Sequence, residues 1–176
     1  MKLPRAFFQR PTLWVAKNLL GQTLVRRWRN NEIRATITET EAYIGPMDLA
    51  CHASRGRTKR SEVLFWKAGH AYVYLIYGMH YCFNVVTEKE DFPSAVLIRS
   101  IKVNGQPPEL SKLSIKGPGR VCRALKIDKK FHGQDLIANQ ELWFENATRI
   151  GKVKVGPRIG VDYAGIWAKK PWRLWL

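Results

Sequence analysis

The chain has 176 residues, of which 45% are hydrophobic and 11% aromatic, a composition that excludes a disordered protein and allows a sizeable core. Thirty lysines and arginines stand against 14 acidic residues, so the formal net charge is +16. A charge of this size on one small domain indicates a polyanionic partner, with DNA, RNA and an anionic membrane surface as the candidates.

The membrane is the weakest of these candidates. No apolar run approaches the roughly 20 residues that span a bilayer, and the first ten residues, MKLPRAFFQR, lack the apolar core of a signal peptide. The cysteines at 51, 82 and 122 have no CxxC spacing, which predicts free thiols in a reducing compartment. The histidines show no metal-ligand spacing either, so we expect chemistry without a metal or another cofactor.

The first third of the chain predicts a short helix followed by a hairpin. Residues 11–20 carry a proline in the first turn and are followed by Gly21, which predicts the helix end. Residues 22–29 and 32–44 are β-type runs, and Asn30 and Asn31 between them predict the turn. The first run carries a basic cluster that fits either a charged edge strand or a phosphate contact. This cluster consists of Arg26, Arg27 and Arg29.

The most informative stretch is TETEAYIGPMDLACH, residues 38–52. Strict alternation predicts that the apolar strand face of residues 33, 35 and 37 continues into Glu39, Glu41 and Tyr43. A buried carboxylate without a partner is costly or shifts its pKa. Two interpretations follow: the glutamates are solvated or arginine-paired at a frayed strand end, or a carboxylate is placed there to do chemistry.

Two later stretches point to nucleic acid. Residues 54–61, SRGRTKRS, form a basic loop that either follows a phosphate backbone or is ordinary solvated surface. Its candidate phosphate contacts are Arg55, Arg57, Lys59 and Arg60. Residues 71–77 and 80–86 are β-type runs around a predicted two-residue turn, Gly78 and Met79. Large apolar side chains at this tip, Tyr77 and Met79, fit a wedge between base pairs or a tip packed under a neighbouring loop.

The rest of the chain predicts further strands and one helix. Residues 95–103 alternate as a strand whose apolar face is interrupted by Arg99, either a structural ion pair or a site arginine facing Glu41. Residues 104–116 predict a loop with Pro107 and Pro108. A helix is predicted over 120–126, with Arg120 as a further phosphate contact. Strands are predicted over 142–144 and 152–155.

Five segments, in this order and spacing, resemble the alkyladenine (3-methyladenine) DNA glycosylase family of base-excision enzymes. They are TETEAYIGPMDLACHASRG, YVYLIYGMHYCFN, AVLIRS, GPGRVCRAL and RIGVDYAGIWAKKPWR. The resemblance covers nearly the whole chain. It implies an α+β fold, a single compact domain over residues 1–176, built on a curved, mainly antiparallel β-sheet with short peripheral helices and a protruding β-hairpin.

The resemblance also implies catalytic and DNA-distorting residues. Glu41 matches the glutamate that activates the attacking water. Arg99 and the main chain of Ile159 match groups that help to hold this water. Tyr77, with Met79 beside it, matches the side chain that fills the hole left in the duplex.

A base pocket follows from the same resemblance. Tyr43, His52 and Tyr74 match the aromatic walls that sandwich the flipped base. Asn84 matches the asparagine at the pocket floor that disfavours the exocyclic amine of guanine. His80 departs from the tyrosine of some relatives, which implies a different backing of the wedge, and the chain stops where some relatives continue with another strand.

The function implied is that of a monofunctional DNA glycosylase, which flips alkylated or deaminated purines out of duplex DNA and hydrolyses the N-glycosidic bond. No lysine stands out as a Schiff-base nucleophile, so lyase activity is not expected, and Glu39 is interpreted as structural. The partner implied is double-stranded DNA with a damaged purine. We expect a monomer, cytoplasmic and associated with DNA, or nuclear in a eukaryote. Two alternatives stay open: a non-catalytic binder of distorted nucleic acid, and a purine-releasing enzyme acting on RNA.

Overall fold

A computed structural model describes residues 1–104, 113–147 and 151–176. The predicted loop with Pro107 and Pro108 falls outside these ranges. The α-helices of the described residues are α1 Arg5–Phe8, α2 Thr12–Leu19 and α3 Pro118–Ala124. The strands are β1 Thr23–Trp28, β2 Asn31–Ile44, β3 Ala71–Ile76, β4 His80–Val86, β5 Ser94–Asn104, β6 Ser114–Lys116, β7 Leu142–Glu145, β8 Lys154–Gly156 and β9 Arg173–Trp175. Short 3-10 helices cover His52–Arg55, Glu62–Phe65, Lys129–Phe131 and Asp162–Trp167.

The described strands form one antiparallel sheet in the order β3-β4-β5-β2-β1-β7. In addition, β6 pairs with β5, and β9 pairs with both β2 and β8. The main core lies between this sheet and the helices, where Val15 and Leu19 of α2 and Val121 of α3 are fully buried. The predicted α+β fold, with a mainly antiparallel sheet and short peripheral helices, is confirmed. None of the described helices is both long and apolar enough to cross a membrane.

The long strand β2 is the centre of the sheet. On one edge it pairs with β5 over most of its length. On the other edge its first half pairs with β1 and residues 39–41 pair with β9. The two glutamates of this strand, Glu39 and Glu41, are therefore enclosed by strands on both sides and do not lie at a frayed strand end.

The alternation predicted along β2 is wrong, because the pairing of β2 with β5 shifts register between Ile37 and Thr40. Ile37 and Ala42 both belong to the main core, although strict alternation would place them on opposite faces of the strand. Tyr43 instead packs against a smaller cluster around Cys51. A β-bulge produces such a change, since one extra residue reverses the side to which later side chains point.

The neighbouring strand β5 changes faces at the same place. Its predicted apolar face joined Ala95 to Ile101 through Arg99, and this is also wrong. Ile98 and Ile101 both lie in the main core, whereas Ala95 belongs to the smaller cluster. The matched irregularity turns Arg99 and Glu41 out of the main core and toward the same side of the sheet, where they lie 3.5 Å apart.

Both hairpin turns begin one residue earlier than predicted. Asn31 is already in β2 and pairs with Trp28, and Arg29 takes a φ of 54°. In the second hairpin Tyr77 and Gly78 have φ values of 50° and 69°, and the N–H of Met79 donates to the carbonyl of Ile76 at 3.1 Å. Positive φ at both central residues is the signature of a type I′ turn, which matches the twist of a hairpin.

The basic cluster on β1 does not form an edge, because β1 lies between β2 and β7. Arg26 is fully buried. Its Nε donates to the carbonyl of Leu125 at 3.0 Å, just beyond α3, and its guanidinium lies over the ring of Phe131. A charged edge strand and a phosphate contact, the two interpretations of this cluster, are therefore both wrong for Arg26, which joins helix α3 to the sheet.

Candidate active site

Glu41 lies at the centre of the site with 0% of its surface exposed. Its Oε1 accepts a hydrogen bond from the backbone N–H of Ile159 at 2.9 Å. Its Oε2 accepts one from the hydroxyl of Tyr43, also at 2.9 Å. With the guanidinium of Arg99 at 3.5 Å from Oε1, three groups predicted to share a site surround one carboxylate.

The surroundings of Glu41 have opposing effects on its pKa. Burial raises the pKa and is the largest effect, while the charge of Arg99 and the hydrogen bonds from Ile159 and Tyr43 lower it. The pKa remains raised overall. A carboxylate of this kind is a stronger base than one free in water, which suits proton abstraction near neutral pH.

Glu39 holds Arg99 through a second ion pair. The Nε of Arg99 donates to Oε1 of Glu39 at 3.1 Å, and the hydroxyl of Ser100 donates to Oε2 at 2.5 Å. Arg173 of β9 donates to the same Oε1 at 3.2 Å. Arg99 therefore has both roles considered from the sequence, a structural ion pair with Glu39 and an arginine that faces Glu41.

An aromatic cavity adjoins the Glu41 carboxylate, because Tyr43 both donates a hydrogen bond to Glu41 and lines the cavity. Its volume is about 20 Å³. The residues that line it are Tyr43, Ala50, Cys51, His52, Leu64, Tyr72, Tyr74, Asn84 and Ala95. All four residues predicted for a base pocket are among them. A space of this size holds about one water molecule.

His52 forms one wall as an uncharged ring. Its Nδ1 is 2.7 Å from the hydroxyl of Tyr72, and its ring centroid is 4.6 Å from that of Tyr74. Burial, followed by the charges of Arg60 and Arg55, lowers the pKa of His52 to about 4. At neutral pH the wall is therefore aromatic without being cationic.

Asn84 is fixed at the cavity by the β3–β4 pairing. It is buried opposite Tyr72, and its Nδ2 donates to the carbonyl of Tyr72 at 3.0 Å. Because one N–H is held by the backbone, the orientation of the amide is set. Tyr72 also lines the cavity, a position that the sequence did not indicate.

A buried ion pair that the sequence did not indicate lies behind the site. Arg158 donates to both carboxylate oxygens of Asp48, at 2.6 and 2.8 Å, and neither side chain is exposed. Arg158 also donates to the carbonyls of Ala42 and Trp167. Its guanidinium lies 4.8 Å from the ring of Tyr43. The pair thereby fixes the segment that brings Ile159 to Glu41.

The predicted phosphate contacts of the basic loop fall into two groups. Arg57 is 2.5 Å from Asp91, and its guanidinium lies over the ring of Phe65. Arg55, Lys59 and Arg60 are exposed, and within the described ranges no carboxylate lies within 4.0 Å of them. Arg57 holds the loop, the guanidinium of Arg60 lies over the ring of Tyr74, and Arg55 and Lys59 are available to an anion.

The tip of the second hairpin projects into solvent. Tyr77 is 86% exposed and Met79 is 70% exposed. They do not line the aromatic cavity. Tyr77 shares a separate groove with Arg120 of α3 and with His80, which packs against Gly119. A Cβ at Gly119 would lie 3.0 Å from the Cβ of His80, so the absence of a side chain at Gly119 lets the hairpin pack closely against α3.

The chain is similar to a known protein family over most of its length. The model of the family described as "Methylpurine-DNA glycosylase" matches residues 6–176. A relative from Methanocella arvoryzae is 49% identical and covers 98% of this chain and 91% of its own. One from Myxococcus xanthus is also 49% identical (99% and 89%), and one from Legionella pneumophila strain Corby is 47% identical (99% and 94%). Each carries the name "Putative 3-methyladenine DNA glycosylase".

Proposed function

The chain belongs to the methylpurine-DNA glycosylase family, and from this premise we propose that it is a monofunctional DNA glycosylase. It acts as a monomer, with residues 1–176 as a single domain, on duplex DNA that contains an alkylated or deaminated purine. It releases the damaged base and leaves an abasic site. The net charge of +16 supports a DNA substrate.

The observation that carries this proposal is the position of Glu41. A fully buried carboxylate is costly for a fold unless it is compensated. Here it is compensated by Ile159, Tyr43 and Arg99, and it lies beside a cavity with aromatic walls. Such an arrangement is expected where a planar ring must be held next to a carboxylate that accepts a proton.

The chemistry follows from these contacts. As the bond between C1′ and the purine nitrogen breaks, its electron pair leaves with the base, and the sugar becomes an oxocarbenium-like cation that the Glu41 carboxylate stabilises. A cationic alkylated purine leaves as a neutral base, and hypoxanthine takes up a proton as it leaves. A water molecule adds to C1′ and passes its proton to Glu41. Arg99 and the main chain of Ile159 help to orient this water. Within the described ranges no lysine lines the cavity, which supports water as the nucleophile and an intact DNA strand in the product.

Extruding the nucleotide has a cost that the protein must offset. Unstacking costs a few kcal/mol, and stacking of the base on Tyr43, His52 and Tyr74 returns about 1–3 kcal/mol. Tyr77, exposed at the hairpin tip, enters the space left in the duplex. Since the cavity is small in the present structure, the aromatic walls open as the base enters.

One assay tests this function against its alternatives. Duplexes with a single hypoxanthine, ethenoadenine or 3-methyladenine are incubated with the protein without added metal, and abasic sites and strand breaks are scored separately. We expect abasic sites in DNA, no strand breaks before alkali, and no release from the matching RNA duplex. Binding without release would indicate a non-catalytic binder, and release from RNA alone would indicate an RNA enzyme.

A further inference from the structure

Arg173 of β9 makes two contacts that the proposed chemistry does not use. Its Nη1 donates to Oε1 of Glu39 at 3.2 Å, and the same oxygen accepts from the Nε of Arg99 at 3.1 Å. Its Nε donates to the carbonyl of Pro157 at 2.9 Å, two residues before Ile159. One guanidinium thus holds both the carboxylate that binds Arg99 and the backbone that leads to Ile159.

We propose that Glu39 and Arg173 are positioning residues for the hydrolysis. Glu39 directs the guanidinium of Arg99 toward Glu41. Arg173 keeps the Glu39 carboxylate in place and fixes the position of the Ile159 N–H. This inference rests on the proposed function, because it takes Arg99 and Ile159 as the groups that orient the water. Neither Glu39 nor Arg173 touches the reacting atoms in this account.

The contacts of Arg99 divide its guanidinium between two carboxylates. Its Nε donates to Glu39, and its Nη1 lies 3.5 Å from Oε1 of Glu41. Because a guanidinium is a planar fork, a bond at Nε determines the direction in which Nη1 points. The hydroxyl of Ser100 donates to the second oxygen of Glu39 at 2.5 Å. Both oxygens of Glu39 are therefore occupied, and the carboxylate holds Arg99 in one orientation.

Arg173 is itself held in a defined orientation. Its guanidinium lies 4.4 Å from the ring of Trp175 on the same strand. In the sheet, Trp175 pairs with Glu39 of β2, and Arg173 pairs with Gly156 of β8. A Cβ at Gly156 would lie 3.1 Å from the Trp175 ring, so this glycine lets the ring pack closely against β8. Strand β9 thereby places one arginine between Glu39 and the segment before Ile159.

The four charged side chains form a row of alternating sign, Glu41, Arg99, Glu39 and Arg173. Their side chains are 0%, 13%, 15% and 24% exposed in this order. Charges this far from water act on one another strongly. An arginine shared between two carboxylates neutralises each of them only in part, and the second arginine completes the balance.

The charge of Glu39 also acts on the catalytic carboxylate. Burial has the largest effect on the pKa of Glu41 and raises it, the charge of Arg99 lowers it, and the charge of Glu39 raises it. Removing the charge of Glu39 should therefore lower the pKa of Glu41 and make it a weaker base. In the described part of the chain, the other titratable groups that interact electrostatically with Glu41 are Tyr43, Tyr74, Cys82 and Arg158.

The first test is single-turnover release of 7-methylguanine from duplex DNA as a function of pH. This cationic base leaves without an added proton, so the acidic limb of the profile reports the base that activates water. We expect Glu39→Gln and Arg173→Met each to lower the rate at neutral pH by about 10–10²-fold, because the water is misplaced. DNA affinity should be unchanged. Glu39→Gln should also move the acidic limb to lower pH.

The control for the loss of a charge is Lys102→Met. Lys102 is exposed and lines the same groove as Glu39 and Arg173. In the part of the chain that the structure describes, the ion-pair partners of Glu39 are Arg99 and Arg173, so Lys102 is not one of them. Lys102→Met should release the base as the wild type does. In the double variant of Glu39→Gln and Arg173→Met, the loss of rate should be smaller than the product of the single losses, because the two residues act through one contact.

A second measurement does not depend on catalysis. Hydrogen exchange of the Ile159 amide reports how firmly its N–H is held at Glu41. Arg173→Met should speed this exchange about tenfold, and Lys102→Met should leave it unchanged. The amides of helix α2, together with thermal unfolding, show whether each variant is folded and whether the faster exchange is local.

The outcomes separate this inference from the proposed function. If the wild type releases the base and both variants match Lys102→Met in rate, pH profile and exchange, the inference is wrong and the glycosylase stands. Lower rates that follow lower thermal stability, with an unmoved acidic limb and unchanged Ile159 exchange, would show a purely structural pair and overturn it too. If the wild type releases no lesion, the proposed function fails and a role in hydrolysis fails with it. The exchange data would then still decide whether Arg173 holds the Ile159 N–H.

Discussion

Arg158 and Asp48 form a bidentate ion pair in which neither side chain is exposed, at distances of 2.6 and 2.8 Å. The residue after Arg158 donates its backbone N–H to Glu41. The pair thus joins the loop after β2, the segment before Asp162–Trp167 and the carboxylate. Breaking a buried pair leaves an uncompensated charge, which costs more than the pair itself contributes.

We therefore expect Arg158→Met to lower the free energy of unfolding by about 3–5 kcal/mol, because it leaves the Asp48 carboxylate buried without a partner. Denaturant unfolding measures this. Arg57→Met, which breaks the exposed pair with Asp91, is the control and should cost about 0–1 kcal/mol. Similar losses in the two variants would show that the buried pair does not fix the fold around the site.

His52 should stay uncharged from pH 8 down to about pH 5, since its pKa is lowered to about 4. Because the pKa of His52 in the folded protein lies below the ordinary value of 6.5, the buried neutral ring stabilises the fold fully above pH 6.5. This stabilisation is lost as the pH falls toward 4. An NMR titration of the imidazole nitrogens measures this. Arg60→Met should raise the pKa of His52, and Lys59→Met should not. Titration of the wild-type His52 ring near pH 6.5 would contradict its burial as an uncharged wall of the cavity.

The salt dependence of binding should separate Arg55 from Arg57. Neutralising Arg55 removes a phosphate contact and lowers the log–log slope of affinity against salt by about 0.9. Neutralising Arg57 should leave the slope unchanged, because its charge is already engaged by Asp91. Fluorescence anisotropy at several salt concentrations gives both slopes. An equal change for the two arginines would mean that the ion pair opens when DNA binds.

Tyr77→Ala should weaken binding to a lesion-containing duplex about fivefold or more, because the side chain that fills the vacated space is lost. Binding to undamaged duplex should change little, and Tyr77→Phe should retain the lesion affinity. Equilibrium titration of both duplexes checks this. If Tyr77→Ala binds the lesion as tightly as the wild type does, the exposed hairpin tip is not a wedge.

Local patterns were sufficient to predict most elements of the sheet, because β-type runs and their turns depend on neighbouring residues. Helix α2 and strand β5 lie within one residue of their predicted ends. The same patterns failed at the bulge between Ile37 and Thr40, where pairing with β5 overrides alternation. The prediction for Arg26 failed for a related reason, because the burial of Arg26 depends on β7, which follows more than a hundred residues later.

The sequence motifs named side chains that the structure brings to one cavity, but not the contacts between them. The motif residues Tyr43, His52, Tyr74 and Asn84 do line one cavity. The ion pair of Asp48 and Arg158 joins residues 110 positions apart, and no local pattern reveals that they meet. The pairing of Arg57 with Asp91 likewise depends on tertiary folding, so sequence alone could not divide the basic loop into structural and available cations.

The most direct test of the central claim is single-turnover release of hypoxanthine from duplex DNA by Glu41→Gln. Glu90→Gln, the same change at an exposed glutamate, is the control. We predict that Glu41→Gln lowers the release rate by about 10²–10⁴ and leaves DNA affinity unchanged, while Glu90→Gln behaves as the wild type does. Release by Glu41→Gln at the wild-type rate would contradict the assignment of Glu41 as the base that activates water.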